Sequence, residues 1–77
     1  MEDFQFEVIK QFGVISEGKG GWKKELNLVS WNGRAPKLDI RDWAPEHKKM
    51  GKGLTLTNEE AAKLVELIPT ALSSGDQ

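Results

Sequence analysis

Apolar and polar residues alternate along most of this chain, and then the period changes near its end. Phe4, Phe6 and Val8 alternate with Gln5 and Glu7, a period of two that predicts a strand with one buried face. Phe12 and Val14 keep that parity while Lys10 breaks it, which predicts a bulge or an exposed stretch there. Glu17-Gly18-Lys19-Gly20-Gly21 reads as a loop, because its glycines supply free backbone angles. A second strand is expected from Trp22 to Asn32. Asn32-Gly33 favours positive φ at both residues and signals a hairpin, lengthened by Arg34-Ala35-Pro36. The third strand should run from Lys37 to Trp43, closed by Pro45, which has no amide hydrogen for a ladder. Glu46 to Gly53 is expected as a basic loop, followed by a short fourth strand, Leu54-Thr55-Leu56.

From Thr57 the pattern is helical. Thr57-Asn58-Glu59-Glu60 fits a capping box, with the Thr57 hydroxyl accepting from the Glu60 amide and Glu60 reaching back. Ala61, Leu64, Val65, Ile68 and Leu72 fall at i, i+3, i+4, i+7 and i+11, one apolar stripe. Pro69 should kink or restart this helix, since it cannot donate to the Val65 carbonyl. The expected fold is therefore α+β: a four-stranded antiparallel sheet followed by one C-terminal amphipathic helix. Residues 1–72 should form a single domain, with 73–77 a flexible tail.

Strand parity then assigns faces. Leu26, Leu28, Leu38 and Ile40 take one side, where Leu54 and Leu56 can join them under the helix. Lys23, Glu25, Asn27, Val29 and Trp31 take the other, with Lys37, Asp39, Arg41 and Trp43 from the third strand. No helix is left to cover this second face, so two indoles should lie bare among cations.

Charge sharpens that picture. The net charge is only −1, but it is unevenly spread. Residues 1–18 hold one base against four acids, residues 19–52 nine against four, and residues 53–77 one against four. A basic middle between acidic ends can make a field of one sign on one face. Exposed indoles beside cations admit three readings: packing under a loop, an anchor for a protein partner, or a stacking platform for unpaired bases with cations along the backbone. The third fits the interleaving best. Duplex DNA usually receives a helix or ribbon in its groove, and the expected helix has only Lys63 against three acids.

Composition removes other classes. At 38% hydrophobic and 30% charged, the 77 residues suit a soluble globular domain. No run of about 18 apolar residues could form a membrane helix, and the N-terminus does not resemble a secretory signal. The absence of cysteine excludes disulfides and thiolate chemistry, and it fits a cytoplasmic location. A chain this short buries only about 60% of its unfolded surface, which favours a homodimer as a source of further stability. His47, the sole histidine, lacks partners for a metal site or a catalytic triad and is expected at the surface. Met50-Gly51-Lys52-Gly53 lacks the spacing of a P-loop and reads either as a flexible turn or as a phosphate-contacting loop. Ser16 and Ser30 have no general base at readable spacing. Asp39 and Asp42 have opposite parity and should not act as a pair; Asp39 more economically orients Arg41 or a lysine. Neither an enzyme nor a cofactor site is expected.

The segment ELNLVSWNGRAPKLDIRDWAPEHKKMGKGLTLTNEE resembles the positive-cofactor-four family of transcriptional coactivators, especially its bacterial YdbC-like branch. The resemblance covers residues 22 to about 72 and rests on LDIR with the following Trp43, on KGLTLT, and on the helix-opening NEE. It implies a curved sheet followed by a helix, dimerisation through the helices, and binding of single-stranded DNA across the sheet faces. By the same resemblance Trp31 and Trp43 would stack on bases, Arg41 would be a basic contact, and Lys24, Arg34, Lys37, Lys48, Lys49 and Lys52 would lie at or near basic ones. Lys23 shares their stretch of chain. Trp22 stands where relatives often have a base, and is either a third aromatic contact or a core residue. Leu64, Val65, Ile68 and Leu72 would form the dimer interface. The acidic start of this chain departs from the Ser- and Lys-rich regulatory tail of eukaryotic members. The alternatives are an adaptor bound to the transcription machinery and a binder of single-stranded RNA, which sequence does not separate from DNA.

Overall fold

A computed structural model of the protein describes residues 5–74. Strands β1 (Phe6–Glu17), β2 (Lys23–Trp31), β3 (Lys37–Trp43) and β4 (Met50–Leu56) precede one helix, α1 (Asn58–Ser73). The strands pair antiparallel in chain order, β1-β2-β3-β4, so each connection is local. This is the α+β architecture that the sequence pattern predicts. Phe4, with which the first strand was expected to begin, and residues 75–77 of the expected tail lie outside the described residues.

The turns form where the chemistry demands them. Asn32 and Gly33 both have positive φ, 53° and 76°, as a tight hairpin requires. Gly20 and Gly21 bend the β1–β2 connection with φ of 67° and 82°. The capping box at Thr57 is complete: its Oγ1 accepts from the Glu60 amide at 3.0 Å, and its own amide donates to Glu60 Oε1 at 2.9 Å.

Two elements differ from expectation. β4 begins at Met50 rather than Leu54, so Gly51 and Lys52 lie in a strand and not in a loop. Antiparallel pairing of Met50 with Trp43 extends the ladder, and a register shift between Arg41 and Trp43 takes up the extra residue of Gly51-Lys52 opposite Asp42. α1 continues through Pro69 to Ser73 as a single helix instead of restarting. Pro69 costs this helix the hydrogen bond to the Val65 carbonyl, in a stretch where Val65 and Leu72 are 73% and 65% exposed.

The larger correction concerns the faces. Register shifts fall between Val8 and Lys10, Gln11 and Gly13, and Val14 and Ser16, so β1 bulges three times, the first where Lys10 breaks parity. The extra residues are Ile9, Phe12 and Ile15. Each bulge bends its strand and increases local twist, and three of them curl the sheet. The sign of that curl is visible in side-chain distances. Phe6 pairs with Trp31 at one end of β2 while Trp43 pairs with Lys23 at the other, about 26 Å away along a flat strand. Yet the Phe6 and Trp43 rings are 5.5 Å apart. The face expected to be open is therefore concave and closed on itself: Glu25, Asn27, Val29, Asp39 and Trp43 are buried there. The opposite face, expected to be sealed by the helix, is only half covered. Leu26, Leu28, Leu38 and Ile40 are intermediate in exposure, and Leu54 is 50% exposed. Leu26, Leu38, Ile40 and the buried Leu56, with Ala61, Leu64, Val65 and Ile68 of α1, line an apolar groove of about 230 Å³.

Candidate nucleic-acid interface

The concave face is built around four rings. Phe6 lies between the two indoles, 5.9 Å from Trp31 and 5.5 Å from Trp43, at interplanar angles near 42° and 43°. The imidazole of His47 stacks on Trp43 at 4.4 Å. This stack depends on a short turn at Pro45–His47 in which Glu46 and His47 adopt positive φ, folding the chain back over the indole. His47 Nε2 also meets Glu25 Oε1 at 2.9 Å, the same oxygen that accepts from Asn27 Nδ2 at 3.0 Å. His47 is thus three-quarters buried and not the solvent-exposed residue its loop position predicts.

Trp43 is 1% exposed, so the expectation of a bare indole at this position is overturned. Curvature brings Phe6 over one part of it and the Pro45–His47 turn over another. Its Nε1–H has no hydrogen-bond acceptor among the described residues, which costs about 1–3 kcal/mol and is offset by ring packing. Trp31 sits at the rim and remains partly exposed.

Beneath Trp31 lies a fixed guanidinium. Arg41 Cζ is 4.9 Å from the centre of the indole, within the range of a cation–π contact. Asp39 holds it from two sides, Nε to Oδ1 at 2.9 Å and Nη2 to Oδ2 at 3.0 Å. Thr55 Oγ1 donates to Asp39 Oδ2 at 2.8 Å, and Arg41 Nη1 donates to the Gly51 carbonyl at 3.2 Å. Asp39 therefore orients Arg41, as parity suggests. Gly53 faces Arg41 across the strands, where a Cβ would run into the Arg41 Cβ and the Ile40 carbonyl.

The remaining cations fall into two groups. Lys23, Arg34, Lys37, Lys49 and Lys52 are exposed and make no ion pair among the described residues. Lys37 lies across from Val29, next to Trp31 on the same face, and Lys23 lies across from Trp43; Arg34 follows Trp31 in the hairpin turn. Lys24, in contrast, projects from the other side of β2 and pairs with Asp42 at 3.0 Å, so it does not join the aromatic cluster. Lys48 reaches Glu46 only at 3.9 Å, with both side chains largely in solvent. Trp22 is half-buried and packs against Gly51, whose Cβ position lies 3.0 Å from its Cζ3. It belongs to the packing at the strand start.

Sequence reasoning missed Phe6, Glu25, Asn27 and His47 as parts of this site. Phe6 carried a usable signal, since its parity is that of the strand's apolar set. No local signal could place His47, because its partner Glu25 lies 22 residues away. No cluster of His, Asp and Glu that could hold a metal ion occurs among the described residues, and no described helix is long and apolar enough to cross a membrane.

A curled four-stranded meander, a lone terminal helix and a rim of unpaired cations around aromatic rings define a small α+β binding domain. A family model described as Transcriptional Coactivator p15 (PC4) matches residues 19–67, from the start of the β1–β2 turn into α1. A protein of Treponema pallidum (strain Nichols), described as uncharacterized, is 48% identical over 67 residues, covering 87% of this chain and 79% of that relative. The chain belongs to the transcriptional coactivator p15 (PC4) family. That family is one of non-enzymatic, nucleic-acid-binding proteins of coactivator type.

Proposed function

We propose that the protein is a homodimeric, largely sequence-independent single-stranded DNA-binding protein of the coactivator type, acting in the cytoplasm or on the nucleoid. The observation that carries this reading is Trp31, an indole at the rim of the sheet with exposed, unpaired Arg34 and Lys37 beside it. Unpaired bases offer π faces and the strand offers phosphates, and this rim has a partner for each. Trp43 supports the platform from below and does not itself stack. Phosphate contacts fall to Lys23, Arg34, Lys37, Lys49 and Lys52, with Lys48 and Lys24 contributing less because of their acidic neighbours. The half-open groove between α1 and the sheet, with Leu64, Val65, Ile68 and Leu72 along it or beyond it, supports a dimer formed through the helices, and two linked binding faces would raise avidity.

The test is oligo-dT binding to a Trp31→Ala variant. Loss of one base stack should weaken binding by about 1–3 kcal/mol while circular dichroism stays that of the folded protein. Unchanged affinity would remove Trp31 from the site. Quenching of tryptophan emission by short oligonucleotides at low salt separates this reading from a protein adaptor, for which emission would stay silent.

A further inference from the structure

The chain's one histidine is held from two sides. Its ring lies nearly parallel to Trp43 at 4.4 Å and 20°, and its Nε2 meets Glu25 Oε1 at 2.9 Å. That oxygen also accepts from Asn27 Nδ2, so it acts as an acceptor and the shared hydrogen belongs to Nε2. The backbone is constrained as well. Glu46 and His47 both adopt positive φ, 59° and 58°, a conformation that persists only where the surroundings over-determine it and that concentrates at functional sites. Pro45 anchors the start of the turn against Gly21, whose Cβ position lies 2.9 Å from the Pro45 Cγ. Stacking, hydrogen bond and backbone thus fix the ring, and Nδ1 is what it has left to offer. Nδ1 has no hydrogen-bond partner among the described residues and is open to solvent, in a side chain 25% exposed.

With Nε2–H committed to Glu25, Nδ1 of a neutral imidazole carries a lone pair and repels an anion; only the imidazolium has an Nδ1–H to donate. The charges around the ring leave that atom to a ligand. Glu25 is taken by Nε2, and Glu46 of the same turn lies 3.9 Å from Lys48. Arg41, across from Glu25, is matched by Asp39. Lys49 follows in the chain and Lys23 lies across from Trp43, with Glu17 of β1 beyond it. We propose that His47 is a proton-dependent phosphate contact of the single-strand site. Its imidazolium donates from Nδ1 to a phosphodiester oxygen of the bound strand, with Glu25 as the positioning residue, and binding takes up a proton wherever the free imidazole is neutral. The inference rests on the nucleic-acid-binding reading above and adds to it a pH dependence that lysine and arginine contacts lack.

The test is oligo-dT affinity at constant ionic strength between about pH 5.5 and 8, the range in which histidine changes charge and neither thymine nor a phosphodiester does. Wild-type affinity should rise about tenfold toward the acid end, and the slope of log K against log salt should steepen there by about 0.7. His47→Gln keeps a donor for Glu25 but cannot gain a charge. It should match the wild type at the alkaline end and stay flat below it, whereas a merely structural role for His47 would weaken the variant at every pH. The α-amino terminus, which also titrates in this range, is common to both proteins. In wild-type protein at the acid end, the His47 Nδ1–H resonance should become protected from solvent exchange when oligo-dT is added. A flat wild-type profile, a rise that persists in His47→Gln, or an Nδ1–H still exchanging with water in the complex would overturn the proposal while leaving single-strand binding intact. A wild type that bound no oligo-dT at any pH would sink the underlying reading as well.

Discussion

Trp31 and Trp43 share a residue type, a sheet face and a basic neighbourhood, and the fold gives them different tasks. Trp43 is enclosed by Phe6 and His47, so truncating it empties the centre of the concave face. Trp43→Ala should lower stability by about 3–5 kcal/mol, read as a large drop in the urea midpoint. Trp31→Ala, at the rim, should change stability much less and binding more. A Trp43→Ala protein that stayed as stable as the wild type would show that the rings do not hold this face together. The buried polar residues obey the same logic. Glu25 and Asp39 stay inside because Asn27, His47, Arg41 and Thr55 satisfy them, and a buried charge without such partners would be costly; Asn27 spends its Nδ2 on Glu25, while its own Oδ1 has no donor among the described residues.

At the scale of elements, β1 governs the shape and α1 would carry the proposed association. Twelve residues of β1 accompany nine of β2, and the difference is taken up by the bulges at Ile9, Phe12 and Ile15. Their side chains, 46%, 50% and 54% exposed, are turned out of the ladder, which also blunts a long edge strand against pairing with other sheets. α1 is started by local chemistry. Thr57→Ala removes the acceptor for the Glu60 amide and should cost about 1 kcal/mol, measured by thermal unfolding. Thr57→Ser, which keeps the hydroxyl, should restore most of it. If the Ala variant melted with the wild type, tertiary contacts alone would be holding the first turn.

At the scale of the whole molecule, one copy leaves too much apolar surface in water. Val65, Leu67, Ile68 and Leu72 are 73%, 51%, 48% and 65% exposed beside the groove under α1. The proposed dimer would cover them. Val65→Asp combined with Ile68→Asp should yield a monomer in sedimentation velocity, with lower stability and weaker oligo-dT binding through lost avidity. A wild-type protein that sedimented as a monomer at micromolar concentration would remove the dimer from the proposal. The charge layout also acts at this scale. A net −1 conceals a basic middle segment, and in space Lys24 drops out of it through Asp42 and Arg41 through Asp39, leaving the exposed lysines and Arg34 as the field a strand would meet.

What the chain alone determined is everything that depends on neighbours in sequence. The Asn32-Gly33 hairpin, the β3 limits at Lys37 and Trp43, the capping box and the bulge at Lys10 are set by backbone angles, missing amide hydrogens and reach over a few bonds. Parity likewise sorted side chains correctly onto two faces, down to Asp39 with Arg41 on one side and Asp42 with Lys24 on the other. Which face would be buried was decided only in three dimensions. Parity is blind to the sign of curvature, and a curled sheet closes its concave side however polar the residues there look. That is why Trp43 is sealed beneath Phe6 and why Arg41 reaches Trp31, contacts that arise from the accumulated bend of three bulges, a property of the whole sheet that no local window of residues contains. His47 meets Glu25 across 22 residues because the positive-φ turn at Pro45–His47 folds back over the paired β2 and β3.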